Sequence, residues 1–139
     1  MSLERFVQAQ EGVYSRALAE LKAGKKQSHW MWFIFPQIAG LGHSAMAQIY
    51  AIASLDEAKA YLAHLVLGAH LRACCEAVLA VEGNSAPQIF GSPDDLKFRS
   101  SLTLFDLASP DDIFRAALDK YFDGEADQRT LEILNGSWE

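Results

Sequence analysis

Apolar residues recur at three- and four-residue intervals from the start of the chain. Leu3, Phe6, Val7, Tyr14, Ala17, Leu18 and Leu21, with Gln10 on the same stripe, outline one face of an amphipathic first helix that Gly24 stops. Lys25-Lys26-Gln27-Ser28-His29 is polar and turns abruptly apolar at Trp30-Met31-Trp32-Phe33-Ile34-Phe35-Pro36. That run is too continuous to show a period, so strand and buried helical turn both fit it. A short buried helix is expected, because no partner strand is evident elsewhere. Gly40-Leu41-Gly42 reads as a loop, and Ser44 as the cap of a short helix through Met46, Ile49, Tyr50 and Ile52. Ser54-Leu55-Asp56-Glu57 spells a capping box ahead of Ala58, Tyr61 and Leu62. Leu67, Leu71, Cys74, Cys75, Val78 and Leu79 mark a longer helix ended by Gly83, and residues 85–90 a helical turn closed by Gly91.

Ser92-Pro93-Asp94-Asp95 and Ser109-Pro110-Asp111-Asp112 repeat one arrangement. Each has a capping hydroxyl, proline at the first helical position and carboxylates in the first turn, and so predicts a helix start. The second helix carries Ile113, Phe114, Ala117, Leu118, Tyr121 and Phe122 and stops at Gly124. Asp127 caps a last short helix through Leu131 and Leu134. The pattern predicts an all-α, compact single-domain bundle over residues 1–139, with about seven to nine short helices and no significant sheet.

Composition narrows the classes. A chain of 139 residues is one domain, and 50% hydrophobic with 22% charged is a globular balance, not a disordered one. The longest apolar run falls far short of the roughly 20 residues that cross a bilayer. Met1-Ser2-Leu3-Glu4-Arg5 lacks a charged region ahead of an apolar stretch. A cytoplasmic location without membrane contact is expected. Cys74 and Cys75 are neighbours on a helix and point about 100° apart, so a disulfide between them would be strained. Reduced buried thiols are expected, with a vicinal redox pair as the alternative. The net charge of −6, with scattered basic residues, argues against general nucleic-acid binding but leaves room for a local positive pocket.

No Walker-type loop, GxGxxG, HExxH, paired CxxC or GxSxG is present, and His29, His43, His64 and His70 share no metal-ligand spacing. No cofactor or metal is therefore expected. The densest group of unusual residues is Lys25, Lys26, Ser28 and His29 ahead of Trp30, Trp32, Phe33 and Phe35. If Ser28 caps a short helix, its free N–H groups and both lysines face one way, a recipe for holding an anion. His29 then supplies proton transfer, Trp30 or Trp32 a stacking wall, and Gln37 a hydrogen bond back into the pocket. The alternative is a surface turn leading into an aromatic core helix, with Gln37 capping a turn.

A second group is Lys97, Ser100, Ser101 and Thr103, with Ser100 and Thr103 in line with Leu96 and Leu107. Inward hydroxyls beside Lys97 either line a polar pocket or let two helices approach, bonded back to the preceding turn. A Ser-His-acid set from Ser28, Ser100 or Ser101 with His29 and Asp94 or Asp95 has no spacing to fix its geometry.

Lys26-Gln27-Ser28-His29-Trp30-Met31-Trp32-Phe33-Ile34-Phe35-Pro36-Gln37, followed by Gly40-Leu41-Gly42, resembles the hallmark of the family catalogued as domain of unknown function 1810. Arg5-Phe6-Val7 with Gln10, Tyr61-Leu62 with Leu67-Gly68, Ile89-Phe90-Gly91, Asp95-Leu96-Lys97 and Ser100-Ser101-Leu102-Thr103-Leu104-Phe105 extend the resemblance over nearly the whole chain. It implies a compact all-helical fold, mostly bacterial, with no established activity. Some relatives carry the label calpastatin, an inhibitor class of long, disordered, repeated chains unlike this one.

Both polar groups fall within hallmark blocks, which points to a shared pocket between residues 25–37 and 97–103. Lys25, Lys26 and Lys97 supply charge there, Ser28, Gln37, Ser100, Ser101 and Thr103 hydrogen bonds, and His29 proton transfer. The expected ligand is a small anion with a flat part, such as a nucleotide or phosphorylated metabolite, either bound or turned over. The rival is a protein-interaction or homo-oligomerisation module with Trp30, Trp32 and Phe35 exposed as anchors.

Overall fold

The apolar stripe beginning at Leu3 folds as two helices, not one. The computed structural model describes residues 3–136. Helix α1 (Glu4–Gln10) ends where Glu11 turns extended and Gly12 takes a positive φ of 73°, and α2 (Tyr14–Lys22) follows. The break lets Phe6 and Gln10 on α1, and Ala17 and Leu21 on α2, reach different parts of the core. The apolar run becomes a single helical turn, α3 (Met31–Ile34). Trp30, Met31, Ile34 and Phe35 are buried while Trp32 and Phe33 are half-buried, the spacing of a helix face.

Chain after Pro36 runs extended: the Ile52 N–H donates to the Gln37 carbonyl at 2.9 Å, and the Ala39 N–H to the Ile52 carbonyl at 2.8 Å. This isolated parallel bridge between Ile38 and Ile52 clamps the loop beside α3 to the segment after α4 (Ala45–Ile49), which Ser44 caps as expected. Ser54 caps α5 (Leu55–Ala63), but the Glu57 carboxylate accepts from the Ala53 N–H and pairs with Arg5, so the box is not closed on Ser54 itself.

Helix α6 (Leu65–Ala80) turns away from α5 by 92°. At the bend the His64 Nδ1 accepts from the Val66 and Leu67 N–H groups. A Cβ on Gly68 would stand 2.2 Å from the Leu62 carbonyl oxygen, so only glycine permits this approach. Helix α7 (Ala86–Phe90) carries a full Ser85–Gln88 capping box. Helix α8 (Asp94–Ala108) is the central element: Phe98 and residues 100–105 are all buried. It packs against α5, α7, α9 (Ile113–Phe122) and α10 (Gln128–Gly136).

The two Ser-Pro-Asp-Asp repeats do start helices, one residue later than expected in the first case and through a different cap in the second. Pro93 occupies the N-cap of α8 and offers no side-chain bond. Asp112, not Ser109, caps α9; its carboxylate accepts from the Ile113 N–H and the Ser109 hydroxyl and pairs with Arg72 at 2.9 Å. Among the described residues there are ten helices and no strand beyond the single bridge. No single helix among the described residues is long and apolar enough to cross a membrane.

The core is a run of aromatic contacts. Phe6, Tyr61, Phe105 and Phe114 join the α1, α5, α8 and α9 faces, and Phe35, Phe90 and Phe98 join α3, α7 and α8 at centroid distances of 4.5–5.9 Å. Cys74 and Cys75 lie inside it, and burial pushes the Cys74 thiol up to about 12 and Cys75 higher still. Protonated and enclosed, they do not form the reactive vicinal pair considered from sequence.

Candidate functional site

Glu20, on α2, organises the approach to α3. Its carboxylate accepts from the Gln27 N–H at 2.7 Å, the Ser28 N–H at 3.0 Å, the Ser28 hydroxyl and the Trp30 indole N–H at 2.9 Å. Desolvation alone would raise its pKa, but these bonds outweigh that and hold it at about 2. Ser28 is therefore not the cap of α3, which begins at Met31 with Trp30 at its N-cap. The expected anion cradle of free N–H groups at Ser28 does not form, because Glu20 already fills it.

Lys26 is pinned as well. Its N–H donates to the Ile89 carbonyl at 2.7 Å, and its ammonium lies 2.6 Å from the Ser28 carbonyl, 2.9 Å from Asp94 Oδ2 and 5.0 Å from the Trp30 ring centroid. Lys25 and His29 are both exposed, and of the two only His29 lines a cavity described below. Trp30 and Phe35 are fully enclosed, which removes two of the three aromatic anchors of the interaction reading; Trp32 alone is half-buried.

The two sequence segments do meet, at one end only. The first turn of α8 brings Lys97 over the Trp32 ring at 5.5 Å, within cation–π range. Asp94 lies between the lysines, 2.9 Å from Lys26 and 3.6 Å from Lys97. Lys26 is thus held firmly and Lys97 loosely, with Lys97 at 31% side-chain exposure against 7% for Lys26.

Two cavities flank this pair. The inner one, about 140 Å³, runs from Met31, Trp32 and Gln37 along Gly40 and Gly42 to Tyr50. The outer one, about 260 Å³, is bounded by Lys26, His29, Ser92 and Asp94. Met31, Trp32 and Lys97 line both. Gly42 sits where a Cβ would approach Ala47 Cβ to 2.5 Å, so the loop closes tightly on α4 to form the inner wall. Such a wall offers a flat aromatic face, an ammonium and a primary amide to anything that enters.

Ser100, Ser101 and Thr103 do not join the site. The Ser100 hydroxyl donates to the Leu96 carbonyl and to Asp127, and the Thr103 hydroxyl donates to the Arg99 carbonyl while accepting from the Asp127 N–H. Asp127 in turn accepts from the Thr130 N–H and hydroxyl, so these hydroxyls seat the start of α10 on α8. The Ser101 hydroxyl is buried without a partner among the described residues. The alternative reading of this stripe, close helix approach with back-bonded hydroxyls, is the one the structure gives. With Ser28 on Glu20 and Ser100 on Asp127, neither hydroxyl stands beside His29 in a Ser-His-acid arrangement.

Asp94 and Glu20 were missed as organisers of the site. From sequence Asp94 reads as a helix-start carboxylate or as the acid of a Ser-His-acid set, though its spacing of three from Lys97 is the signal for an ion pair. Glu20 gave no signal, because its partners lie seven to ten positions away across a loop. No group of three or more His, Cys, Asp or Glu that could hold a metal occurs among the described residues.

The family model for a protein of unknown function, DUF1810, matches residues 1–134. The crystal structure of the conserved hypothetical protein Rv1873 from Mycobacterium tuberculosis is similar at 51% identity and a TM-score of 0.94, covering 96% of each chain. No curated protein matches the chain. Matched along almost its whole length and in fold, the chain belongs to the DUF1810 family.

Proposed function

We propose that the protein binds a small organic anion with a flat ring in the paired cavities around Trp32. The observation that carries this reading is the shared wall: Trp32 and Lys97 line both cavities, and Asp94 holds Lys97 only at 3.6 Å. A ring enters the inner cavity and stacks on Trp32 while the anionic group draws Lys97 off Asp94. Lys26 keeps Asp94 neutralised at 2.9 Å, so the carboxylate does not repel the ligand unopposed. Each cavity alone is below the roughly 300–1,000 Å³ of ordinary ligand sites, and the pair together falls within that range. His29, on the outer cavity, is the residue assigned to proton transfer in any turnover. A reducing, cytoplasmic setting fits two free, buried thiols.

The test is a thermal-shift screen at fixed ionic strength against nucleotides, sugar phosphates and small carboxylates. A ligand at 100 times its Kd adds about 2.7 kcal/mol, a shift of several degrees for a chain of this size. The expected hit disappears in Lys97→Ala and Trp32→Ala variants that still melt cooperatively. A hit unaffected by both variants, or no hit across the three classes, overturns the reading.

A further inference from the structure

Resting on that reading, we infer that the ligand is a pyrimidine nucleoside phosphate, its base read by Gln37 in the inner cavity and its phosphate held by Lys97. Gln37 lines the inner cavity, and its carboxamide has no hydrogen-bond partner among the described residues. The backbone of Gln37 is nonetheless fixed, between Pro36 and the bond its carbonyl accepts from Ile52. A half-buried amide on a fixed backbone, lining a cavity and held by no protein group among the described residues, has one donor and one acceptor to offer side by side.

That pair selects a ring edge with an acceptor next to a donor, read in two parallel bonds. Size narrows the choice further. The inner cavity of about 140 Å³ is close to the roughly 150 Å³ cavity that admits one benzene ring. A single six-membered ring against Trp32 matches that volume more closely than a fused purine does. Cytosine and uracil are single rings with adjacent donor and acceptor, and their nucleoside phosphates carry the anion that Lys97 requires. The sugar and phosphate then occupy the outer cavity, which Lys97 joins to the inner one.

The experiment is calorimetric titration of the whole chain with UMP, CMP, AMP, ribose 5-phosphate and phenyl phosphate. It is run on wild type, Gln37→Met, which keeps the side-chain length without the amide, and Lys97→Ala. Melting curves of each variant confirm folding. UMP or CMP is expected to bind roughly tenfold or more tighter than AMP and ribose 5-phosphate, and Gln37→Met to erase that preference. If ribose 5-phosphate or phenyl phosphate binds in a Lys97-dependent way with no pyrimidine preference, or if Gln37→Met leaves the preference intact, this inference falls and the anion site stands. If AMP binds best, the assignment of the ring is overturned. If none of the five binds, the inference fails together with the anion site for every class these probes represent.

Discussion

Glu20 carries a testable share of the stability. Replacing it with alanine removes the common acceptor of the Gln27 and Ser28 N–H groups, the Ser28 hydroxyl and the Trp30 indole N–H. Gln27 is exposed and regains water, and Ser28 does so in part, so their loss is small. Trp30 is fully enclosed, and its indole N–H is left without a partner. A buried donor so stranded costs about 1–3 kcal/mol, and the weakened charge-assisted bonds around the loop bring Glu20→Ala to about 2–4 kcal/mol. The acid limb gives an independent reading. The folded pKa of about 2 lies below the ordinary 4.5, so Glu20 contributes stability above pH 4.5 that is lost as pH falls toward 2. For a half-buried carboxylate, discounted for solvent screening, that contribution is about 1–2 kcal/mol. Urea unfolding of wild type and Glu20→Gln between pH 2 and 6 measures it as a difference, since every other carboxylate is common to both. A glutamine variant that keeps the wild-type slope below pH 4.5, or an alanine variant within about 0.5 kcal/mol of wild type, refutes this account of the loop.

Gly68→Ala drives a methyl to 2.2 Å from the Leu62 carbonyl oxygen and is expected to destabilise by about 2 kcal/mol or more in urea unfolding, whereas Gly83→Ala, with open space but a φ of 81°, loses only about 1 kcal/mol. Asp127→Ala removes the acceptor for Ser100 and for both Thr130 donors, and is expected to cost about 1–2 kcal/mol. Hydrogen exchange on that variant shows faster opening in α10 while the centre of α8 stays protected; uniform exchange in both would contradict this role. Cys74 and Cys75 stay unmodified by iodoacetamide at pH 8 in the folded protein and react once it is unfolded in urea, read by mass spectrometry. Rapid native alkylation would show that the core opens there.

Local signals in the sequence survive into the structure where they depend on neighbours along the chain. Ser44, Ser54, Ser85 and Asp127 each cap the helix that follows them. The apolar run before Pro36 becomes a helical turn, as the sequence implied, and no strand lies among the described residues to pair with it. Gly12 breaks the first helix although the apolar stripe continues across it, because a periodic pattern does not record the backbone's change of direction. The site divides the same way. Trp32, Lys97 and Gln37 are brought to one cavity by tertiary packing. The hydroxyls of Ser100 and Thr103 are one and two helical turns further along α8, where Asp127 from the far end of the chain takes them up. An aligned Ser-Thr stripe looks the same from sequence whether a ligand or another helix bonds it. The Ile38–Ile52 bridge, which shapes the inner cavity, joins positions with no shared pattern at all.

The central claim is that a ring stacks on Trp32 beside Lys97 and Gln37. Amide and indole chemical-shift mapping by ¹⁵N NMR, with UMP titrated into the labelled protein, reads this residue by residue. The account predicts the largest shifts at the Trp32 indole N–H, the Gln37 side-chain amide and the backbone of Gly40 and Gly42, with the α2 and α9 resonances still. Shifts centred instead on the groove between Leu18, Lys22 and Ala77, or none at millimolar UMP, would contradict it.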